Sequence, residues 1–144
     1  MTDHEVEILI VEDNPDDAAL AIRALKKSHL VNNIVHLIDG AEALEFIFGT
    51  GQFAGRNTSK VPKVILLDLK MPKVSGIEVL ERLKYDTVMK SIPIVVLTSS
   101  AEDPDIKKCY ELGANSYIVK PVEFENFSKT ITDLGFYWMV VNRI

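Results

Sequence analysis

Four short stretches of this chain carry side chains that could do chemistry together: Glu12-Asp13, Asp68, Thr98 and Lys120. Three carboxylates brought close repel one another and raise one another's pKa values. A hard cation relieves that repulsion, and an all-oxygen donor set suits Mg²⁺. Held by a few carboxylates, such an ion keeps several waters and can accept a phosphoryl oxygen. The Lys120 ammonium and the Thr98 hydroxyl would meet oxygens that gain charge during phosphoryl transfer. An aspartate can itself act as nucleophile and form an acyl-phosphate. Asp68 is the candidate, because Lys70, Met71 and Pro72 shape the turn after it. Taken singly, each residue has a plainer reading as a cap, a turn former or a solvated acid. The conjunction carries the reading.

That chemistry requires elements that bring the stretches to one edge. Five short apolar runs do so: 8–11, 34–38, 64–67, 94–97 and 117–119. Most are near-continuous and rich in Val and Ile, as strands covered on both faces are. Segments of helical spacing lie between them, at 15–28, 76–84, 103–112 and 124–135. Asn14-Pro15-Asp16-Asp17 supplies a cap residue, a proline at the first helical position and two acids in the first turn. Asp103-Pro104-Asp105 repeats the device, so Asp103 and Asp105 read as capping acids. Gly113 reads as a helix stop. Alternating strands and helices give a parallel sheet with helices on both faces. In such sheets ligands bind outside the C-terminal strand ends. Glu12-Asp13 follow the first run, Asp68 the third, Thr98 the fourth and Lys120-Pro121 the fifth. Asp39-Gly40 after the second reads as a turn with no chemistry.

The pattern Glu12-Asp13, Asp68, Thr98, Lys120-Pro121 resembles the receiver domain of two-component response regulators. The intervals agree, with 30 residues from Asp68 to Thr98 and 22 from Thr98 to Lys120. Met71-Pro72, Gly76 and Gly113-Ala114 extend the likeness, which covers about residues 6–135. The resemblance implies a flavodoxin-like (βα)5 fold, a doubly wound parallel five-stranded sheet in the order 2-1-3-4-5. It implies Asp68 as phosphoacceptor, with Mg²⁺ on Asp13, Asp68 and the Lys70 backbone carbonyl and with Glu12 acting through water. Mn²⁺ or Ca²⁺ would serve as substitutes. Lys120 would pair with the phosphoryl group, and Thr98 would swing toward it. Tyr117 would turn inward as an aromatic switch, and the bond before Pro121 would be cis. The partner is a sensor histidine kinase. The acidic turn after the first strand, the Gly-rich segment and the aromatic C-terminal end resemble single-domain regulators that serve bacterial phytochromes.

Composition narrows the alternatives. The 144 residues are 47% hydrophobic and 26% charged, which fits one globular domain over 1–144. The net charge of −5 gives no footprint for nucleic acid. The longest apolar run, Phe136–Val141, falls far short of the roughly 20 residues of a membrane helix. The polar N-terminus carries no signal peptide and Cys109 stands alone, so a cytoplasmic protein is expected. Cys109 reads as a small filler, and His4, His29 and His36 lack ligand spacing. An insertion over about 49–63 should lie at the sheet edge opposite the ligands. No output domain fits after the fifth helix. Output should therefore pass to a separate protein partner or a histidine phosphotransfer protein.

The tail over about 136–144 begins Phe136, Tyr137, Trp138, Met139 and Val140, too apolar for a free end. It predicts a homodimer in which this segment takes part. Lys70 and Ser100 cannot orient a water as a carboxylate or amide would, so slow self-dephosphorylation is expected. A Mg²⁺-dependent phosphohydrolase would want an acid where Lys70 stands, and lacks room for a cap domain. A flavin binder would not place acids where the phosphate must sit. The expectation is a switch that catalyses only its own phosphorylation and dephosphorylation, not an enzyme acting on other substrates.

Overall fold

The computed structural model describes residues 8–27, 33–71 and 73–134. Five parallel strands form one sheet in the order β2-β1-β3-β4-β5. They are β1 (Ile8–Val11), β2 (Ile34–Leu37), β3 (Val64–Asp68), β4 (Ile94–Thr98) and β5 (Ser116–Val119). The helices are α1 (Pro15–Lys27), α2 (Gly40–Phe48), α3 (Gly76–Lys84), α4 (Asp105–Glu111) and α5 (Phe124–Leu134). This is the strand order of the flavodoxin-like fold expected above.

Side chains alternate across each strand, and the two faces bury separate cores. Leu9, Val11, Ile65 and Leu67 pack with Val79, Leu80 and Leu83 of α3. Ile8, Ile10, Val64 and Leu66 pack with Leu25 of α1 and Phe127 of α5. Every residue of β1, β3 and β4 is buried, whereas the edge strands β2 and β5 are mostly half-buried. The three covered strands carry Glu12, Asp68 and Thr98 to a common edge. The register aligns Val11 with Leu67 and Asp68 with Leu97.

Local signals set the helix starts. Asn14 Oδ1 accepts the Asp16 and Asp17 N–H groups at 2.9 and 3.0 Å. Ser75 and Glu78 form a reciprocal capping box at α3. The fourth helix begins at Asp105, later than the sequence reading, and the Asp103 side chain accepts the Asp105 N–H at 2.9 Å. Asp39 is more than a turn residue, because its buried carboxylate caps α2 through the Glu42 N–H at 2.8 Å.

The 49–63 insertion is anchored on α2. Gly49 closes that helix in the left-handed region at φ 67°. A short 3₁₀ turn, Gly51–Phe53, sets Phe53 edge-on to Phe46 with ring centres 5.1 Å apart. The Arg56 guanidinium lies 4.0 Å over the Phe46 ring. Among the described residues no helix is long and apolar enough to cross a membrane.

Candidate functional site

The C-terminal ends of β1, β3 and β4 bring Glu12, Asp13, Asp68 and Thr98 together, and the chain leaving β5 adds Lys120. Carboxylate oxygens of Glu12, Asp13 and Asp68 all lie within 4.8 Å of one another. Glu12 and Asp68 are buried, while Asp13 faces solvent. Glu12 is held from several sides. Its Oε2 accepts the Asn14 N–H at 3.1 Å, and its carbonyl oxygen lies 2.8 Å from His36 Nε2.

Lys120 Nζ sits 3.3 Å from Glu12 Oε1, 3.3 Å from Asp68 Oδ1 and 3.3 Å from Asp17 Oδ2. This ammonium partly offsets the acid cluster. Asp68 Oδ2, also buried, has no hydrogen-bond partner among the described residues. A buried, unpartnered oxygen in a crowd of carboxylates fits a positive ligand.

Burial, and then the Glu12 charge, push the Asp68 carboxyl up to about 7, although Lys120 pulls the other way. Burial also raises Glu12, against the opposing pull of the Asn14 N–H and Lys120. Lys120 is drawn down by burial, but Asp68 and Glu12 outweigh this and raise it. Burial thus disfavours the charged forms of Asp68 and Glu12, and repulsion from Glu12 adds to this at Asp68. The donor set is all oxygen and suits a divalent cation.

A cleft of about 230 Å³ opens on this cluster, lined by Asp13, Asp68, Lys70, Thr98, Asp103 and Lys120 among others. It can admit a small tetrahedral anion. A parallel sheet of this order, with such a cleft at its switch point, narrows the family sharply. The family model described as a response regulator receiver domain matches residues 8–132.

The chain belongs to the response regulator receiver domain family.

Relatives place this receiver more closely. It is 39% identical over 136 residues to the probable methanogenesis regulatory protein FilR2 of Methanothrix harundinacea, covering 94% of this chain and 85% of that one. It is 36% identical over 132 residues to response regulator Rcp1 of Synechocystis sp., covering 92% and 88%. Among solved structures, the bacteriophytochrome response regulator RtBRR matches with TM-score 0.83 and 49% identity, covering 90% and 78%. The Mn²⁺-bound form of Rcp1 matches with TM-score 0.75 and 34% identity, covering 93% and 94%. The phosphorylated cyanobacterial phytochrome response regulator RcpA matches with TM-score 0.76 and 35% identity, covering 94% of each chain.

The remaining sequence-named residues fall around the cleft or beyond it. Lys70 is exposed at the rim, and its ammonium lies 3.7 Å from Asp103 Oδ2. Tyr117 is half-buried on β5, with its ring edge-on to Tyr110 at 6.3 Å. The Lys120-Pro121 bond is cis. Cys109 is buried, and burial pushes its thiol up to about 11, so it is inert filling. The tail residues Phe136, Tyr137, Trp138, Met139 and Val140 lie outside the described residues.

Three participants escaped sequence reasoning. Asp17 looked like a first-turn helix acid, yet it reaches Lys120. Asp103 looked like a cap, yet its second oxygen meets Thr98 and Lys70. His36 looked incidental, yet it braces the Glu12 carbonyl. The acidic helix start and the acid five residues after Thr98 were the available signals.

Proposed function

We propose that this receiver takes a phosphoryl group from a histidine of a sensor kinase onto Asp68. The observation that carries the proposal is the buried, unpartnered Asp68 oxygen beside Glu12, Asp13 and Lys120. A carboxylate oxygen attacks phosphorus. The O–P bond forms as the N–P bond breaks, and the departing imidazole keeps the electron pair and takes a proton from water. Lys120 stands where a new phosphoryl oxygen would need a positive charge. Thr98 offers a hydroxyl from the neighbouring strand end. The acid cluster fits Mg²⁺ held by Asp13 and Asp68 with the Lys70 carbonyl, and by Glu12 through water. When bound, the ion would neutralise charge on the transferring group.

The signal would leave through α4, β5 and α5, where Tyr117 sits and a groove of about 340 Å³ separates β5 from α5. The likeness to phytochrome response regulators supports a bacteriophytochrome as the kinase, a single-domain cytoplasmic switch rather than an enzyme for other substrates, and a separate protein or histidine phosphotransfer partner. The apolar tail supports a homodimer. A truncation after Leu134 that stayed dimeric in sedimentation equilibrium would defeat that last element.

The deciding experiment is intact-mass spectrometry after incubation with Mg²⁺ and a small acyl-phosphate donor. Wild type and Asp68→Asn are run with and without EDTA. One phosphoryl adduct that needs metal and vanishes in the variant is the expected result. An adduct that survives in Asp68→Asn would place the acceptor elsewhere.

A further inference from the structure

We infer that Asp103 is a positioning residue that holds Thr98 in its resting orientation and ties that orientation to the start of α4. The inference rests on the proposed phosphoryl site and adds a restraint to it. Thr98 is buried, and its hydroxyl has a single hydrogen to donate. That hydrogen faces two acceptors, the Ser100 carbonyl oxygen at 3.1 Å and Asp103 Oδ2 at 3.3 Å. The hydroxyl oxygen in turn accepts the Ser100 N–H at 3.3 Å. The Thr98 hydroxyl is thus fully engaged away from Asp68.

A phosphoryl oxygen would therefore compete with Asp103 for one hydrogen. A carboxylate is the stronger of the two resting acceptors, because its charge strengthens the bond. Asp103 is also well fixed. Its side chain is 5% exposed, Oδ1 accepts the Asp105 N–H at 2.9 Å, and Oδ2 lies 3.7 Å from Lys70 Nζ. When Thr98 departs, Oδ2 keeps Lys70, so the acceptor is not orphaned. The loss is small enough for a reversible switch. Since Oδ1 holds the first helical N–H of α4, release of Oδ2 alters the support of that helix. The two oxygens of one carboxylate thereby join the Thr98 orientation to the α4 start.

Asp103→Asn separates the two roles. The amide oxygen can still accept the Asp105 N–H, while its NH₂ group cannot accept from Thr98. Beryllium fluoride with Mg²⁺ serves as the probe, because it mimics a carboxyl-bound phosphoryl group. Its affinity is measured by calorimetry for wild type, Asp103→Asn, Thr98→Ala and the double variant. Freeing Thr98 should tighten binding about three- to tenfold in Asp103→Asn, the scale of one hydrogen bond. In the Thr98→Ala background the same change should leave affinity unaltered. A gain of equal size in that background would mean that removing the Asp103 charge, and not freeing the hydroxyl, is responsible, and would overturn the inference. Unchanged or weaker binding in Asp103→Asn would overturn it as well. Absence of beryllium fluoride binding in wild type would instead strike the phosphoryl-site reading itself, and the inference with it.

Discussion

Lys120 Nζ lies 3.3 Å from Asp68 Oδ1, although β4 stands between their two strands in the sheet. The contact reaches over the end of β4, past Thr98. The same ammonium meets Glu12 and Asp17 at 3.3 Å. One lysine thus answers three carboxylates supplied by β3, the end of β1 and α1.

Removing that lysine should expose the repulsion it offsets. Lys120→Met leaves Glu12 and Asp68 buried without their cation. The metal-free protein should lose about 2–3 kcal/mol of stability, less than for a fully buried pair because Lys120 keeps some solvent contact. Saturating Mg²⁺ should restore part of the loss. Urea unfolding with EDTA and with Mg²⁺ measures both. Equal stability of variant and wild type in EDTA would refute the offset.

The Asp68 carboxyl gives a pH signature. Its folded value of about 7 stands above the ordinary 3.8, first through burial and then through Glu12. A group that holds its proton more tightly when folded supports the fold fully below its unfolded pKa. That support is lost as pH rises through the folded value. Metal-free stability should therefore decline between about pH 4 and pH 7. Asp68→Asn should flatten this decline and be more stable than wild type at pH 7.5 by about 1–3 kcal/mol. Parallel slopes for the two proteins in EDTA would contradict the assignment.

Cation binding should mirror that titration. The Asp68 proton must leave before the carboxylate can serve as a ligand. Mg²⁺ affinity should climb roughly tenfold per pH unit below about pH 7 and level off above it. Asp13→Asn should weaken binding across the whole range. Calorimetry in buffers of different ionisation heat would read the released proton directly, and no release at pH 6 would count against this account.

Gly76 is a steric test of how tightly the site is supported. Its N–H donates to the Leu69 carbonyl at 2.9 Å. A Cβ at Gly76 would strike the Asp68 carbonyl and crowd Leu69 Cα at 2.8 Å. Both obstacles are backbone at the end of a fully buried strand, so neither can yield cheaply. Gly76→Ala should cost about 2–3 kcal/mol, despite alanine's better helix propensity. It should also weaken Mg²⁺ binding, because the Asp68 turn must shift. Wild-type stability in this variant would show the turn to be pliant.

The acyl-phosphate should be long-lived. Lys70 and Ser100 supply no carboxylate or amide to align a water. Asp103, an acid in contact with Thr98, is already bonded to Thr98, Asp105 and Lys70. Decay of the adduct in Mg²⁺, followed by intact mass, should run over many minutes. A lifetime of seconds would mean that some group does position water.

The fold was legible because three strands are covered on both faces. Runs such as Val64-Ile65-Leu66-Leu67 announce that environment without any long-range information. Glu12, Asp13, Asp68 and Thr98 were legible for a related reason, since each sits where a buried strand ends, and Lys120 follows the apolar run of half-buried β5. Asp17 and Asp103 were not. The Asp103 carboxylate does cap locally and Asp17 is a first-turn acid of α1, but their contacts with Thr98 and Lys120 depend on how loops from distant strands fold over one cleft. The Arg56–Phe46 stack was hidden likewise, because a cation over a ring is a tertiary contact with no local spacing. Helix α4 began later than its pattern implied, because Asp103 spends its side chain on a turn.

The strand order divides labour across β3. On one flank, β1 supplies Glu12 and Asp13. On the other, β4, β5 and the chain after β5 supply Thr98, Tyr117 and Lys120 in turn. Asp68 stands at the seam, on a strand locked by neighbours on both sides. A phosphoryl group arriving there would meet a strand held by ladders on both sides. The proposed response to phosphorylation would then run through half-buried β5, beyond β4, while Glu12 and Asp13 on the opposite flank would be left to hold the cation.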